Sequence, residues 1–278
     1  MSRHIVCLTF DFDTASGFIA RGLATPTPLS RGEFGARVGA GRILDLCKRH
    51  AIPTTWFTPG FTIESFPKEC EAVVAGGHEI AHHSWAHVPP AMQSREEEEA
   101  DMVRAIQSIR SLTGAAPRGY RSPSWDLSAN TIDLLVKHGF DYDSSLMGDD
   151  YAPYKARNGD AAKVGEVLRF GTESGLMEMP ISWTMDDHPH FEFYRTPDFL
   201  MPGLQSPRQV MESWKDEFRY MRQSSDWGVL TYTMHPYVIG RGYRMLALED
   251  LVEFLAREGA VFMTMAEAAR EARRRLEA

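Results

Sequence analysis

The sequence predicts an α/β protein built on parallel strands, and three observations carry that prediction. Short apolar runs alternate with segments of helical periodicity along the chain, the pattern that builds βαβ units. Polar residues of chemical interest repeatedly follow the C-terminal ends of those runs, where parallel α/β barrels assemble their sites. No repeat, low-complexity tract or linker interrupts the 278 residues, so residues 1–278 read as one domain.

Taken in order, Ile5-Val6-Cys7-Leu8-Thr9-Phe10 is an apolar strand that runs into Asp11 and Asp13. Residues 14–39 hold seven glycines and prolines and read as a long loop on the active side. Ile43, Leu44, Leu46 and Cys47 place a helix ending near His50. Thr54-Thr55-Trp56-Phe57-Thr58 is a second strand, stopped by Pro59-Gly60. A helix over 67–75 ends at Gly76-Gly77, and Glu79-Ile80-Ala81 is a short third strand that delivers a run of histidines.

Ser94 caps an amphipathic helix carrying Met102, Ile106, Ile109 and Leu112, and the glutamates at 96–99 read as its solvated first turn. Arg118-Gly119-Tyr120 is a strand whose exit loop carries Arg121. Ser128 caps a helix through His138, and Tyr142-Asp143 lies on the next strand. Residues 147–175 are polar and carry no clear period, after which 176–179 form a strand. Ser206-Pro207 opens a helix to about residue 222, and Val229-Leu230-Thr231-Tyr232-Thr233-Met234 is a strand ending at His235. A helix over 248–257, a strand at Val261-Phe262 and a capping box from Thr264 to Glu267 complete the pattern.

A net charge of −8 argues against a nucleic-acid partner, which leaves a basic stripe; the arginines at 270 and 273–275 share their helix with Glu271 and Glu277. Cys7, Cys47 and Cys70 are an odd set without C-x-x-C spacing, two of them in apolar patterns, and read as buried thiols in a reducing compartment. No signal peptide or membrane span is legible, so the expectation is a soluble, cytoplasmic enzyme.

His82-His83-Ser84-Trp85-Ala86-His87 is the densest chemical feature. His83 and His87 stand four apart, which on a helical turn puts both imidazoles on one side, within reach of one ion. His82 reads equally as a structural neighbour. Asp11 and Asp13, two apart on a continuing strand, face one side, and a strand-end carboxylate completes a set that borderline divalent metals accept. Taken alone, the two aspartates read as well as strand-end caps. Arg121 suits a fixed carboxylate or an ordinary surface ion pair. His235 sits in the right layer for a general acid. Asp186-Asp187-His188 is a further polar cluster of open role.

These residues resemble the polysaccharide deacetylases, carbohydrate esterase family four with its NodB-homology domain, through five ordered segments. Thr9-Phe10-Asp11-Phe12-Asp13 is similar to the first motif, and His83-Ser84-Trp85-Ala86-His87 matches H-[ST]-x-x-H. Arg121-Ser122-Pro123-Ser124-Trp125, Pro180-Ile181-Ser182-Trp183 through Asp187, and Thr233-Met234-His235-Pro236 resemble the third, fourth and fifth. The resemblance implies a distorted (β/α) barrel, commonly seven-stranded, spanning 1–278 as one catalytic domain. It implies Asp13, His83 and His87 as ligands of a divalent metal, zinc first, with cobalt, nickel or manganese also accepted. It implies Asp11 as base, Arg121 as its orienting partner and His235 as general acid, with Pro123, Trp125, Trp183 and Asp187 about the substrate.

One departure matters. The usual first motif has adjacent aspartates, whereas Phe12 separates them here. That form, with Asp143-Ser144-Ser145-Leu146, is similar to an intracellular branch containing peptidoglycan deacetylases, cyclic-imide hydrolases and a metal-independent allantoinase. The expected activity is hydrolysis of non-peptide C–N bonds, either N-deacetylation of amino sugars or ring opening of cyclic imides and ureides. An inactive sugar-binding relative is the expectation from another class. The branch also implies a homo-oligomer, such as a tetramer, acting on a small-molecule amide or amino sugar.

Overall fold

Strand β1 (Arg3–Asp11) is buried along nearly its whole length and paired along both edges. The computed structural model describes residues 2–195 and 199–278, with Tyr194 in its backbone only. The strands that follow are β2 (Thr55–Thr58), β3 (Glu79–His82), β4 (Gly119–Tyr120), β5 (Tyr142–Asp143), β6 (Tyr154–Asn158), β7 (Thr172–Glu178), β8 (Phe193–Arg195), β9 (Leu200–Pro202), β10 (Trp227–Met234) and β11 (Val261–Phe262). The main sheet runs β10-β1-β2-β3-β4-β5-β7-β6, with β11 beside β1. Its pairings are parallel except β6–β7, and β8–β9 form a separate hairpin. Helices supply the crossovers that parallel pairing demands.

The parallel α/β architecture is as expected, but the seven-strand count needs correction. The sheet holds nine strands and is curled but open, since β10 and β6 end it without pairing to each other. The two strands beyond seven are β11, beside β1, and β6, which comes from 147–175 and folds back antiparallel on β7. A polar hairpin with a shifted register at Lys155/Arg157 carries no clean two-residue period.

Alternation along the strands sorts the core into two. Val6, Leu8, Phe10 and Phe12 pack outward with Trp56, Tyr232 and Trp214 beneath the helices. Ile5 and Cys7 point inward with Phe57, Ala81, Tyr142, Met177 and Val229. The helix Met265–Leu276 lays Met265, Ala268 and Ala272 into that inner cluster. It is tied to the N-terminal ends of β2 and β3: Met265 N–H donates to Thr55 Oγ1 at 2.8 Å and Ala266 N–H to Glu79 Oε2 at 3.0 Å. The inner face is thus plugged at one end, and the same alternation carries its polar residues to the other.

Three local expectations are corrected. Residues 14–39 are mostly helical rather than loop: Ser16–Ala20, Pro26–Phe34 and one widened π turn, Gly35–Gly39, leading into the helix Ala40–His50. Two glycines there serve close approach, not turning. A Cβ on Gly32 would meet Ala15 N at 2.5 Å, and one on Gly39 would meet Pro236 O at 2.1 Å. The helix Arg95–Thr113 has the expected Ser94/Glu97 capping box, but Glu98 turns inward, buried, accepting from Ser128 Oγ and Thr131 Oγ1 at 2.6 Å each. Ser128 is consumed in that contact and in an Asn130 N–H bond, so the helix it was expected to cap starts later, as Thr131–Lys137.

Substituting Gly39→Ala forces the widened turn off the Pro236 carbonyl. The expected loss is about 2–3 kcal/mol of unfolding free energy in a urea titration, in the upper range for overpacked sites.

Candidate active site

The inner face opens at the C-terminal ends of the parallel strands into a cavity of about 390 Å³. Its floor is built on Arg121, which directly follows β4 and is wholly buried. Nη1 donates to Asp11 Oδ1 at 2.7 Å and to Thr9 Oγ1 at 2.9 Å; Nε donates to Ser144 O at 3.1 Å and Nη2 to Ser144 Oγ at 3.0 Å. The guanidinium also lies 4.0 Å over the Phe57 ring. One planar fork therefore orients Asp11 while tying β1 to the segment after β5.

Asp13 lies two residues on, facing the same cavity. Its Oδ1 stands 3.3 Å from His83 Nε2 and its Oδ2 3.2 Å from His87 Nε2. Donor atoms of these three buried residues all lie within 4.8 Å of one another. Burial works to raise the Asp13 carboxyl, but His87 first and His83 beside it hold it well below the usual range. Burial lowers His83, yet Asp11 and Asp13 raise it; His87 stays lowered because burial dominates.

The donor set fits a divalent cation on two counts. Asp13 Oδ1 is buried without a hydrogen-bond partner, a costly state that a cation relieves. His83 Nδ1 lies 2.8 Å from Arg121 O, so it carries the proton and donates, leaving Nε2 with a lone pair toward Asp13.

The histidine run does not form the helical turn that its spacing suggested. β3 ends at His82, and Ser84 and His87 take left-handed φ of 57° and 59°. Alternation then sends His83 inward and His82 outward, where Nε2–H donates to Met102 O at 3.1 Å and Nδ1 accepts from Ser84 N–H at 3.1 Å. Of the described non-glycine residues with positive φ, Thr14, Ser84, His87, Ser124 and Trp125 all border this end of the sheet. Such strain persists where surrounding structure imposes it, as at functional sites.

His235 follows β10 and shares the inner face. Asp187 accepts its backbone N–H at 3.1 Å and faces Nδ1 at 2.8 Å, and Asp186 Oδ1 lies 3.5 Å from Nδ1. Nε2 points the other way, 3.7 Å from Asp13 Oδ2. Burial opposes protonation, but Asp186 by charge and Asp187 by hydrogen bond and charge outweigh it, pushing the imidazole up to about 10. An isolated bridge between Asp186 and Thr233 sets the two aspartates beside β10.

Trp125 and Trp183 stack at 4.2 Å between ring centroids along one wall. Pro123 and Asp187, both expected about the substrate, are buried and are not among the residues lining the cavity; Asp187 lies against His235 instead. Ser144, Arg21 and Tyr237 were not singled out as site residues. Only Ser144 had a signal, lying in Asp143-Ser144-Ser145-Leu146 after a strand.

With this geometry in place, comparison with known proteins is decisive. The family model described as polysaccharide deacetylase matches residues 2–142. A peptidoglycan deacetylase of Helicobacter pylori is 35% identical over 284 residues, 97% of this chain and 96% of the relative. The chain belongs to the polysaccharide deacetylase family. Membership in that family places it among hydrolases of amide bonds. A solved polysaccharide deacetylase-type protein of Mycobacterium smegmatis superposes with a TM-score of 0.85 at 30% identity, covering 99% of this chain and 91% of that one. An allantoinase shares the fold with a TM-score of 0.78 at 23% identity, covering 97% and 90%. Among the described residues, no helix of this deacetylase-family chain is long and apolar enough to cross a membrane.

Burial holds His82 neutral, pushing it from 6.5 down to about 3. The unfolded chain binds this proton below 6.5 and the native protein does not, so this group's contribution to stability falls as pH drops through that window, while Asp186, raised by burial to about 7, acts the other way. The test is therefore a difference: between pH 6.5 and 5 the slope of unfolding free energy against pH should be smaller in His82→Gln than in the native chain by up to about 1.4 kcal/mol per pH unit.

Proposed function

We propose that this chain is a metal-dependent hydrolase of non-peptide C–N bonds, removing acyl groups from amino sugars or related small amides. The observation that carries the reading is the unpartnered, buried Asp13 Oδ1 facing His83 Nε2, between the Asp11–Arg121 pair and the His235–Asp187 pair. Asp13, His83 and His87 would hold the ion; two imidazoles and one carboxylate suit zinc first, with cobalt, nickel and manganese as the competitors. When bound, the ion supplies Lewis acidity, polarising the amide carbonyl and acidifying water.

Asp11 takes the proton from the attacking water, and Arg121 holds that carboxylate in position. Water oxygen bonds to the carbonyl carbon as the C–N bond breaks. His235, protonated at neutral pH and held at Nδ1 by Asp187, gives its Nε2 proton to the departing nitrogen. Trp125 and Trp183 offer an apolar wall for the acyl group or ring.

The cavity volume supports a second reading, ring opening of cyclic imides or ureides, because about 390 Å³ suits a compact ligand better than a polymer. Buried free thiols at Cys7, Cys47 and Cys70 support a reducing, cytoplasmic setting. Exposed Val164, Val167 and Phe170 between β6 and β7 support assembly into a homo-oligomer. Pairing of β1 with both β10 and β11 supports one catalytic domain over 1–278.

Metal analysis should find about one equivalent of divalent ion per chain in the native protein and almost none in His83→Ala, which should also lose turnover. Full activity in His83→Ala would overturn the reading. Asp11→Asn should keep the ion while kcat falls at least about a hundredfold, the usual scale for a lost general base. Parallel assays on acetylated chito-oligomers, succinimide, hydantoin and allantoin choose between the substrate readings; turnover of the oligomer alone removes the ring-opening one.

A further inference from the structure

The acidic, metal-holding side of the cavity faces a wall of a different kind. Arg21, His188 and Tyr237 line the same cavity, and none of the three takes part in the chemistry above. Arg21 Nη1 donates to Gly17 O at 2.8 Å, and among the described residues no carboxylate pairs with its guanidinium. Tyr237 is only 5% exposed, yet its hydroxyl has no hydrogen bond among the described residues. The His188 ring, 5.3 Å from the His235 ring and 6.4 Å from that of Tyr237 between centroids, likewise has none to its ring nitrogens. Burial holds that imidazole well below its ordinary range, so it is neutral and offers one N–H.

Gly17 brings this wall against the metal side. A Cβ there would lie 3.2 Å from Arg21 Nη1 and 3.4 Å from His87 Cε1, so guanidinium and imidazole share one bare stretch of backbone. The charge of Arg21 reaches His87, His188 and Tyr237. A guanidinium can only donate, and an unpaired phenol and a neutral imidazole each have a proton to give. Facing the cavity without protein partners, these donors are open to an acceptor that enters it.

We propose that Arg21, Tyr237 and His188 form a subsite for a carboxylate carried by the substrate, so that the preferred amides are anionic. The inference rests on the hydrolase reading above and deepens it by naming a substrate class. The carboxylate seats on the Arg21 fork, with Tyr237 O–H as a further donor, while the scissile amide lies toward Asp13. The acid can be borne by a sugar ether or by a small heterocycle; the chemistry recognised is the same.

Matched pairs test it on the zinc-loaded protein: N-acetylmuramic acid against N-acetylglucosamine, and hydantoin-5-acetic acid against hydantoin. Within whichever pair is turned over, the anionic member should be favoured at least about tenfold in kcat/KM, mainly through KM, as a charge-assisted hydrogen bond gives. Arg21→Gln should shrink that ratio at least tenfold, and Arg21→Lys should restore part of it. The pair that responds identifies the bearer of the acid. Equal handling of both members, or a ratio unmoved by Arg21→Gln, overturns the subsite and leaves the hydrolase reading standing. If no pair is turned over, the hydrolase reading stands or falls by its own assays, and succinate binding by calorimetry decides the subsite. Binding lost in Arg21→Gln upholds it, and binding indifferent to that change sinks it.

Discussion

The buried guanidinium of Arg121 is the constraint on which the site depends. A wholly buried cation is tolerable only when its charge is matched and its donors are used. Here Asp11 supplies the charge, and Thr9 and Ser144 take the remaining donors that the structure assigns. Those partners come from β1 and from the segment after β5, so satisfying one side chain fixes three strand ends against one another. The Arg121 carbonyl meanwhile holds His83 by Nδ1. Backbone and side chain of one residue thus aim both the carboxylate at 11 and the imidazole at 83.

A second pair of carboxyls lies just behind this network. Asp143 and Glu178 are register partners on β5 and β7, both fully buried. Burial raises both, Asp143 to about 6, and neighbouring carboxyls so placed do not both ionise. Their outer oxygens hold the next turn of chain: Asp143 Oδ1 accepts from Ser145 Oγ at 2.6 Å, and Glu178 Oε1 accepts from Ser145 N–H at 3.0 Å and Leu146 N–H at 2.9 Å. Ser144, which receives Arg121, is therefore held from below. The site is thus backed by a second polar layer.

Much of this was legible in local pattern. Apolar runs ending in Asp11, Arg121 and His235 marked the strands, and two-residue alternation placed Asp13 beside Asp11, while His83 was told from His82 by the H-[ST]-x-x-H resemblance. The His83/His87 spacing pointed to two imidazoles that the structure does set beside Asp13, but by another geometry, because left-handed residues at 84 and 87 do in a loop what a helical turn would have done. What stayed hidden depends on long-range packing. Glycines between 14 and 39 look like turn residues until Pro236 and Ala15 are seen against them. Glu98 looks solvated until Ser128 and Thr131 arrive from another segment. Asp187 is a support for His235 only because Asp186 bridges to Thr233, and Arg21 belongs to no pattern at all.

The position of β1 at the heart of the sheet carries a consequence for how the protein is made. Arg3 pairs with Trp227, and Ile5 with Val261, so the strand that bears Asp11 and leads to Asp13 finds those partners only after most of the chain exists. Contacts so distant in sequence are slow to form, because loop closure precedes the reward. Until β10 and β11 dock, Ile5, Val6 and Leu8 have one edge open and apolar faces uncovered, the kind of species that aggregates. The two aspartates and their last covering strand thus mature together, and the site comes into being as one of the final events of folding.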